Sequence, residues 1–277
     1  TAAAGSGATI VPLYILDDED AGEWAMGAAS RWWLHHSLLS LNESLDGTLQ
    51  VRKGAAATVL ADIAKATGAK AIHWNRCYEP WRTTRDASIR AAMQAAGLSV
   101  RSYNGSQLFE PTAVLKSDGS PSRVFTPYYR NGCLDSGIEV RKPQPKSRSL
   151  KLHAPQRAAD IASLGLLPRN NWYRQIAAEW SPGEKGALLR LREFLDHGIG
   201  QYDTGRDRPD QRHVSRLSPH LHFGEISPHQ VWHAVAALQG DENLAKNQDR
   251  FQSELGWREF STYQLYYWPE MPRDNLQ

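Results

Sequence analysis

Residues 49–103 read LQVRKGAAATVLADIAKATGAKAIHWNRCYEPWRTTRDASIRAAMQAAGLSVRSY. Short runs of apolar and β-branched residues at 49–52, 69–74 and 98–103 predict strands. Between them, 55–67 is Ala-rich and predicts a helix closed by Gly68, and 81–96 predicts a helix closed by Gly97. Working outward, ATIVPLYIL at 8–16 reads as a buried strand. Residues 30–45 read as a helix, with Ser30 as its N-cap and Trp33, Leu34, Leu38 and Leu41 on one stripe. Strand and helix alternating in this way predict βαβ units, hence an α/β, Rossmann-like domain over 1–130 with a parallel sheet and helices on both faces. Such sheets bind ligands beyond the carboxyl ends of their strands.

The chain has 277 residues, a formal net charge of +2, 41% hydrophobic and 22% charged residues. That is enough apolar material for sizeable cores and excludes a disordered chain. No apolar run approaches the roughly 20 residues of a membrane span. The opening TAAAGSGATIVPLYILDDED has no basic leader and turns acidic, so no signal peptide is expected. The two cysteines, Cys77 and Cys133, cannot build a disulfide scaffold and read as free thiols in a reducing cytoplasm. Ten Trp and ten Tyr outnumber six Phe, which fits either core filling or stacking on flat ligands.

Residues 131–180 change character. From Arg141 to Arg174, Arg141, Lys142, Lys146, Arg148, Lys151, Arg157, Arg169 and Arg174 face a single acid, Asp160, with four prolines interspersed. This predicts an irregular basic linker, either draped over the surface or adding to a positive field. Residues 181–277 predict helices only. Ser181-Pro182-Gly183-Glu184 and Ser227-Pro228-His229-Gln230 both read as capping boxes with Pro at N1, and 241–268 predicts a third long helix stopped at Pro269.

Neither G-x-G-x-x-G nor G-x-x-x-x-G-K-[ST] is present, and no G-x-S-x-G elbow supports a hydrolase. His220 and His222 lack a third ligand at family spacing and read as structural, with no metal expected. The dense signal lies between Gln201 and Ser261. A basic loop holds Arg206, Arg208, Arg212 and Arg216, and two nearby Ser-Pro helix starts, at Ser218 and Ser227, could present backbone N–H groups to phosphate or be ordinary caps. At ~3.6 residues per turn, Phe251, Leu255 and Arg258 share one stripe of the third helix, while Glu254, Trp257 and Ser261 share its neighbour. One stripe can serve a flat ligand and the other a second partner. The alternative is an amphipathic helix in which Glu254 and Arg258 pair at i,i+4.

RLSPHLHFGEISP at 216–228 and SELGWREFSTYQLYYWPEMP at 253–272 strongly resemble the DNA photolyase/cryptochrome family, and within it the bacterial class I cyclobutane pyrimidine dimer photolyases. SRWWLHHSLLSLNESL, GAKAIHWNRCYEPWRTTRD, GLSVRSYNGSQLFEP and RVFTPYYR are similar to the family's α/β domain, so the resemblance covers nearly the whole chain. It implies an α/β antenna domain over 1–130, a linker over 131–180 and the first part of a helical FAD-binding domain over 181–277. It also implies that the chain starts after the family's first strand and stops before the rest of the helical domain.

The resemblance implies FAD held by Tyr202, Val214, Ser215, Arg216, Leu217, Ser218, Phe251 and Arg258, with Val214 standing where Thr is usual. It implies DNA containing pyrimidine dimers as the partner, met by Arg206 and by Glu254, Leu255, Gly256, Trp257, Arg258, Glu259, Phe260 and Ser261. Trp257 would stack on the flipped lesion and Glu254 would hydrogen-bond it, the two carrying the catalytic role. The family's reaction is light-driven electron transfer from reduced FAD, which opens the cyclobutane ring. An antenna pigment, folate or deazaflavin, stays open, because Tyr78-Glu79 is followed here by Pro80-Trp81-Arg82 and not by the folate-binding Asn-Glu. A cytoplasmic monomer is expected. The competing readings are a cryptochrome-type photoreceptor without repair and, for the first domain alone, a nucleotide-binding protein of the electron-transfer flavoprotein kind.

Overall fold

The protein is described here by a computed structural model covering residues 2–145, 147, 150–155 and 159–276. After a short helix α1 (Ala2–Gly5), the chain runs β1 (Leu13–Leu16), α2 (Ala28–Ser44), β2 (Gln50–Lys53), α3 (Ala56–Thr67), β3 (Ala71–Asn75), α4 (Pro80–Ala95) and β4 (Ser99–Tyr103). This is the alternation the sequence predicts. Gly68 closes α3 with a left-handed φ of +67°, and Asp17 at the end of β1 accepts the Ala56 N–H at 2.9 Å to start it. Leu13–Leu16 pairs in parallel with Gln50–Lys53, and β3 pairs with β4. Among the described residues the strands therefore form two two-stranded ladders and not one continuous sheet. Ile15, Ala56, Leu60, Ile72, Trp74, Ile89, Met93 and Val100 make a common core. On α2, Trp33, Leu34 and Leu38 are buried as the stripe requires, while Leu41 is exposed; the helix begins at Ala28 behind Gly27, ahead of Ser30.

The later helices are α5 (Arg174–Glu179), α6 (Glu184–Glu193), α7 (Tyr202–Gly205), α8 (Ser218–His222), α9 (Pro228–Ala236) and α10 (Glu242–Tyr267). From Leu188 onward the described residues hold helices and turns and no strand. Ser227 caps α9 with a complete capping box to Gln230, and Asp241 caps α10 by accepting the Leu244 N–H. The Ser181 box does not form as predicted: α6 starts at Glu184, after Gly183 has turned the chain with φ +108°.

Two compact units emerge, and they interleave along the chain instead of parting near residues 130 and 181. One comprises Thr1–Trp74, Thr84–Tyr103 and Gln144–Ala187; the other comprises Asn75–Thr83, Asn104–Pro143 and Leu188–Gln277. Much of the expected linker thus belongs to the α/β unit. The Ile10 N–H donates to the Lys151 carbonyl at 2.7 Å and the His153 N–H to the Ile10 carbonyl at 2.9 Å. A 3-10 turn over Ile161–Leu164, capped by Asp160, buries both its end residues. Lys146, Arg148 and Arg157 lie outside the described residues.

The helical unit is organised by α10. Its buried stripe meets a π-helical turn over Pro127–Leu134, where Tyr128 lies 4.6 Å from Tyr263 and 5.0 Å from Phe260, centroid to centroid. Gly256 permits this approach: a Cβ there would sit 2.5 Å from the Tyr129 ring. Because Tyr129 is almost fully buried, the ring has little room to yield. Gly256→Ala is therefore expected to destabilise the protein by about 1–3 kcal/mol despite alanine's better helix propensity. Denaturant unfolding of the two proteins checks this, and equal stability would refute the close-approach role.

Candidate functional site

Within the helical unit lies a cavity of about 760 Å³. Three elements build one part of it. Helix α10 contributes Phe251, Glu254, Leu255 and Arg258; α7 contributes Tyr202; and the segment entering α8 contributes Ser215, Leu217 and Ser218. The stripe of Phe251, Leu255 and Arg258 thus faces one space, as its helical spacing predicts. Phe194, Tyr202 and Phe251 form an aromatic triad, with centroids 4.7 Å and 5.2 Å from Phe251 to its two neighbours. Gly205 admits His213 against α7, since a Cβ there would fall 2.3 Å from the His213 ring.

The sequence reading did not foresee the opposite wall. Asn75–Glu79, Arg82 and Gly105–Gln107 line it. Asn104 folds its own loop: its Oδ1 accepts the Ser106 and Gln107 N–H groups and its Nδ2 donates to the Gln107 carbonyl at 2.9 Å. Gly105 sits against Asn75, where a Cβ would meet the side chain at 2.4 Å. An Asn-Gly pair after a strand is a turn signal, and it was the one available hint that this loop closes on something.

Arg258 and Glu259 clasp that loop to α10. The Arg258 Nη1 donates to the Ser106 carbonyl and to Glu259 Oε1, both at 2.8 Å. Glu259 Oε2 accepts the Leu108 N–H at 2.7 Å and the Phe109 N–H at 3.3 Å. Glu259 is 1% exposed, and burial pushes its carboxyl up to about 7 against the pull of Arg258 and the two N–H groups. This corrects the expectation of DNA contact for part of the segment. Leu255, Gly256, Glu259 and Phe260 are all buried; of the four, Leu255 lines the cavity and the other three pack away from it.

The remaining expected residues divide. Val214 is exposed and Arg216 takes a left-handed φ of +52°, and neither is among the residues lining the cavity. Ser218 lines the cavity without capping α8, whose N-cap is Leu217. Helix α8 is only five residues long, too short for an appreciable end charge. Glu254 does not pair with Arg258 at i,i+4; it pairs with Arg206, whose guanidinium also lies 5.7 Å from the Tyr202 ring. Trp257 is 45% exposed and stacks on Phe125 with centroids 3.7 Å apart and planes 10° from parallel. Ser261 is exposed, and its hydroxyl donates to the Trp257 carbonyl at 2.9 Å. His220 is buried with its Nδ1 2.5 Å from Glu225, bracing the Gly224 turn, whereas His222 lines the cavity. Among the described residues no group of three or more His, Cys, Asp or Glu side chains could hold a metal ion.

The DNA photolyase family model matches residues 1–147. A deoxyribodipyrimidine photo-lyase of Agrobacterium fabrum is 38% identical over 99% of this chain and 57% of its own length. The chain belongs to the DNA photolyase family. Cryptochrome-1 of Arabidopsis thaliana is 31% identical over 95% of this chain and 40% of its own length. The crystal structure of a bacterial class III photolyase from Agrobacterium tumefaciens superposes with a TM-score of 0.89 at 36% identity, covering 99% of this chain and 57% of that one. Class I, expected from the sequence resemblance, is not the class of this structural relative, which is class III. The chain spans a little over half the length of these photolyases. FAD is the cofactor of the family, and the donor set fits such a group. Aromatic and aliphatic walls face hydroxyls and a guanidinium across a space in the range of about 300–1,000 Å³ typical of ligand pockets.

The Glu259 carboxyl gives a pH signature. Its value is raised from about 4.5 unfolded to about 7 folded. The folded state then binds the proton more tightly, so this contribution to stability is complete below pH 4.5 and is lost as pH rises through 7. Glu259→Gln should remove a fall of up to about 1.4 kcal/mol per pH unit across that window. Unfolding free energies of both proteins from pH 4.5 to 7.5 test this; parallel curves would overturn the assignment.

Proposed function

We propose that this protein repairs cyclobutane pyrimidine dimers in DNA by light-driven electron transfer from FAD bound in the helical unit. The observation that carries the reading is the convergence of one cavity and one exposed indole on successive turns of α10. Phe251, Leu255 and Arg258 line the cavity, while Trp257 stands at the surface. When bound and reduced, FAD supplies the photoexcited electron that splits the dimer. The chain's own residues then have distinct tasks. Tyr202, Leu217, Phe251 and Leu255 form the apolar walls. Ser215, Ser218 and Arg258 offer hydroxyls and positive charge to a diphosphate. Leu217 and the triad around Phe251 are buried, and they keep water from the walls.

On the DNA side, Arg206 is suited to a backbone phosphate. Glu254, which lines the cavity, is suited to hydrogen-bond the dimer and to steady charge on it. Trp257 offers an aromatic face to bases that have left the helix. Phe125 backs the indole, so its orientation is set before the DNA arrives. That lowers the ordering cost of binding. A cytoplasmic location, a monomer and an antenna of the folate or deazaflavin kind belong to the same proposal. No helix among the described residues is long and apolar enough to cross a membrane. The similarity to Cryptochrome-1 supports a second reading, a blue-light receptor with the same cofactor and no repair.

Repair of a dimer-containing oligonucleotide by the reduced, FAD-loaded protein, in blue light and in the dark, separates these readings. Light-dependent loss of dimers is expected. Flavin photochemistry without repair would favour the receptor. Trp257→Ala should weaken binding to dimer-containing DNA by about tenfold to a hundredfold, from the roughly 1–3 kcal/mol of stacking per base. Binding to undamaged DNA should hardly change. Equal losses on both DNAs would reduce Trp257 to a structural role.

A further inference from the structure

The face of α10 that meets α7 carries more than the cavity wall. Lys246, Arg250 and Glu254 follow at four-residue spacing and share one stripe. Each meets a charge from the α7 segment. Lys246 Nζ lies 2.7 Å and Arg250 Nε 3.9 Å from Asp203, and Glu254 pairs with Arg206. Nearby, Arg208 and Asp210 are 3.0 Å apart. A surface proposed to meet a polyanion therefore has these cations already occupied by carboxylates.

One of these pairs differs from the others. Glu254 lines the cavity, so what holds its carboxylate decides whether it can reach a guest. The α7 segment has other ties to α10 besides the Arg206–Glu254 pair. Asn247 accepts the Asp203 N–H at 2.7 Å and donates to the Gly200 carbonyl at 3.1 Å, and Lys246 holds the Asp203 side chain. Both side chains of the pair stay accessible, at 21% and 27%. Arg206 has a second acidic neighbour, Asp207, at 3.5 Å.

We propose that the Arg206–Glu254 ion pair is a latch, in which a DNA backbone phosphate takes Arg206 from Glu254 and so releases the Glu254 carboxylate to the guest in the cavity. The inference rests on the DNA-repair reading above. It makes Arg206 a positioning residue whose contact with the backbone switches on lesion recognition. Undamaged DNA must also break the pair, yet offers no guest to engage the released carboxylate. The latch therefore taxes non-specific binding selectively, which is a route to discrimination.

The test is a double-mutant cycle on the full protein with FAD, using Glu254→Gln, Arg206→Gln and the pair combined. Binding to an undamaged duplex is measured across salt concentrations. Glu254→Gln removes the partner that DNA must displace and leaves Arg206 beside the more exposed Asp207 at 3.5 Å, so affinity for undamaged DNA should rise about two- to fivefold. The salt slope should stay nearly the same, because Arg206 meets the same phosphate in both proteins once the pair is broken. In the Arg206→Gln background the same Glu254→Gln change should have no effect. An equal gain in both backgrounds would show simple removal of a negative charge and overturn the latch, as would no gain at all. Thermal unfolding of each variant should match the parent, because Asn247 and Lys246 still anchor α7; a large loss would make the pair structural and also overturn it. The repair reading fails separately, on the parent protein, if that protein binds no dimer-containing DNA and repairs none in light. Intact repair with an additive cycle sinks the latch alone.

Discussion

A single buried carboxylate ties the helical unit together. Glu259 accepts two backbone N–H groups from residues 108 and 109 and a bond from Arg258. A charge so deeply buried is tolerable only when its lone pairs are filled, and here the groups filling them are the loop that closes the cavity. Removing those donors would leave an unsatisfied ion in the core. The loop, the helix and the cavity wall are therefore obliged to form together. Arg258 joins the two ends of this arrangement, reaching the Ser106 carbonyl while also lining the cavity.

Helix α10 can present different chemistry on adjacent stripes because its packing is asymmetric. Gly256 lets one side sink onto Tyr129, which brings Trp257 into register with Phe125. The neighbouring stripe lines the cavity with Phe251 and Leu255. Its charged edge meets α7. None of these three surfaces could be exchanged for another, because successive residues of a helix are rotated by about 100° and each stripe has its own partner.

Much of this was legible in the sequence, and the reasons are local. Strands and helices of the α/β unit announce themselves by apolar runs, and Gly68 marks a helix end because the left-handed position there favours glycine. The stripe of Phe251, Leu255 and Arg258 follows from helical period alone. The rest depends on long-range pairing. Nothing near Glu259 shows that its partner is a loop some 150 positions earlier, so the resemblance groups it with the residues expected to meet DNA. Glu254 has an arginine at i+4, yet the tertiary fold offers Arg206 instead. The basic run after Pro143 looked solvated, but Ile161 and Leu164 anchor part of it in a core. The Ser181 box failed because Gly183 turned the chain before the helix could start.

The interleaving of the two units has a consequence for how the chain is made. Tyr128 and Tyr129 find their cover on α10, whose Gly256 emerges from the ribosome 127 residues after Tyr129. At about 5–20 residues per second, those rings wait roughly 6–25 s for their partner. During that interval FTPYYR at 125–130 is an unpaired aromatic stretch, while the β1–β2 ladder and its crossover helix α2 are already complete in the nascent chain. Slowing translation between residues 130 and 256 would lengthen that exposure without touching the α/β unit's early strands.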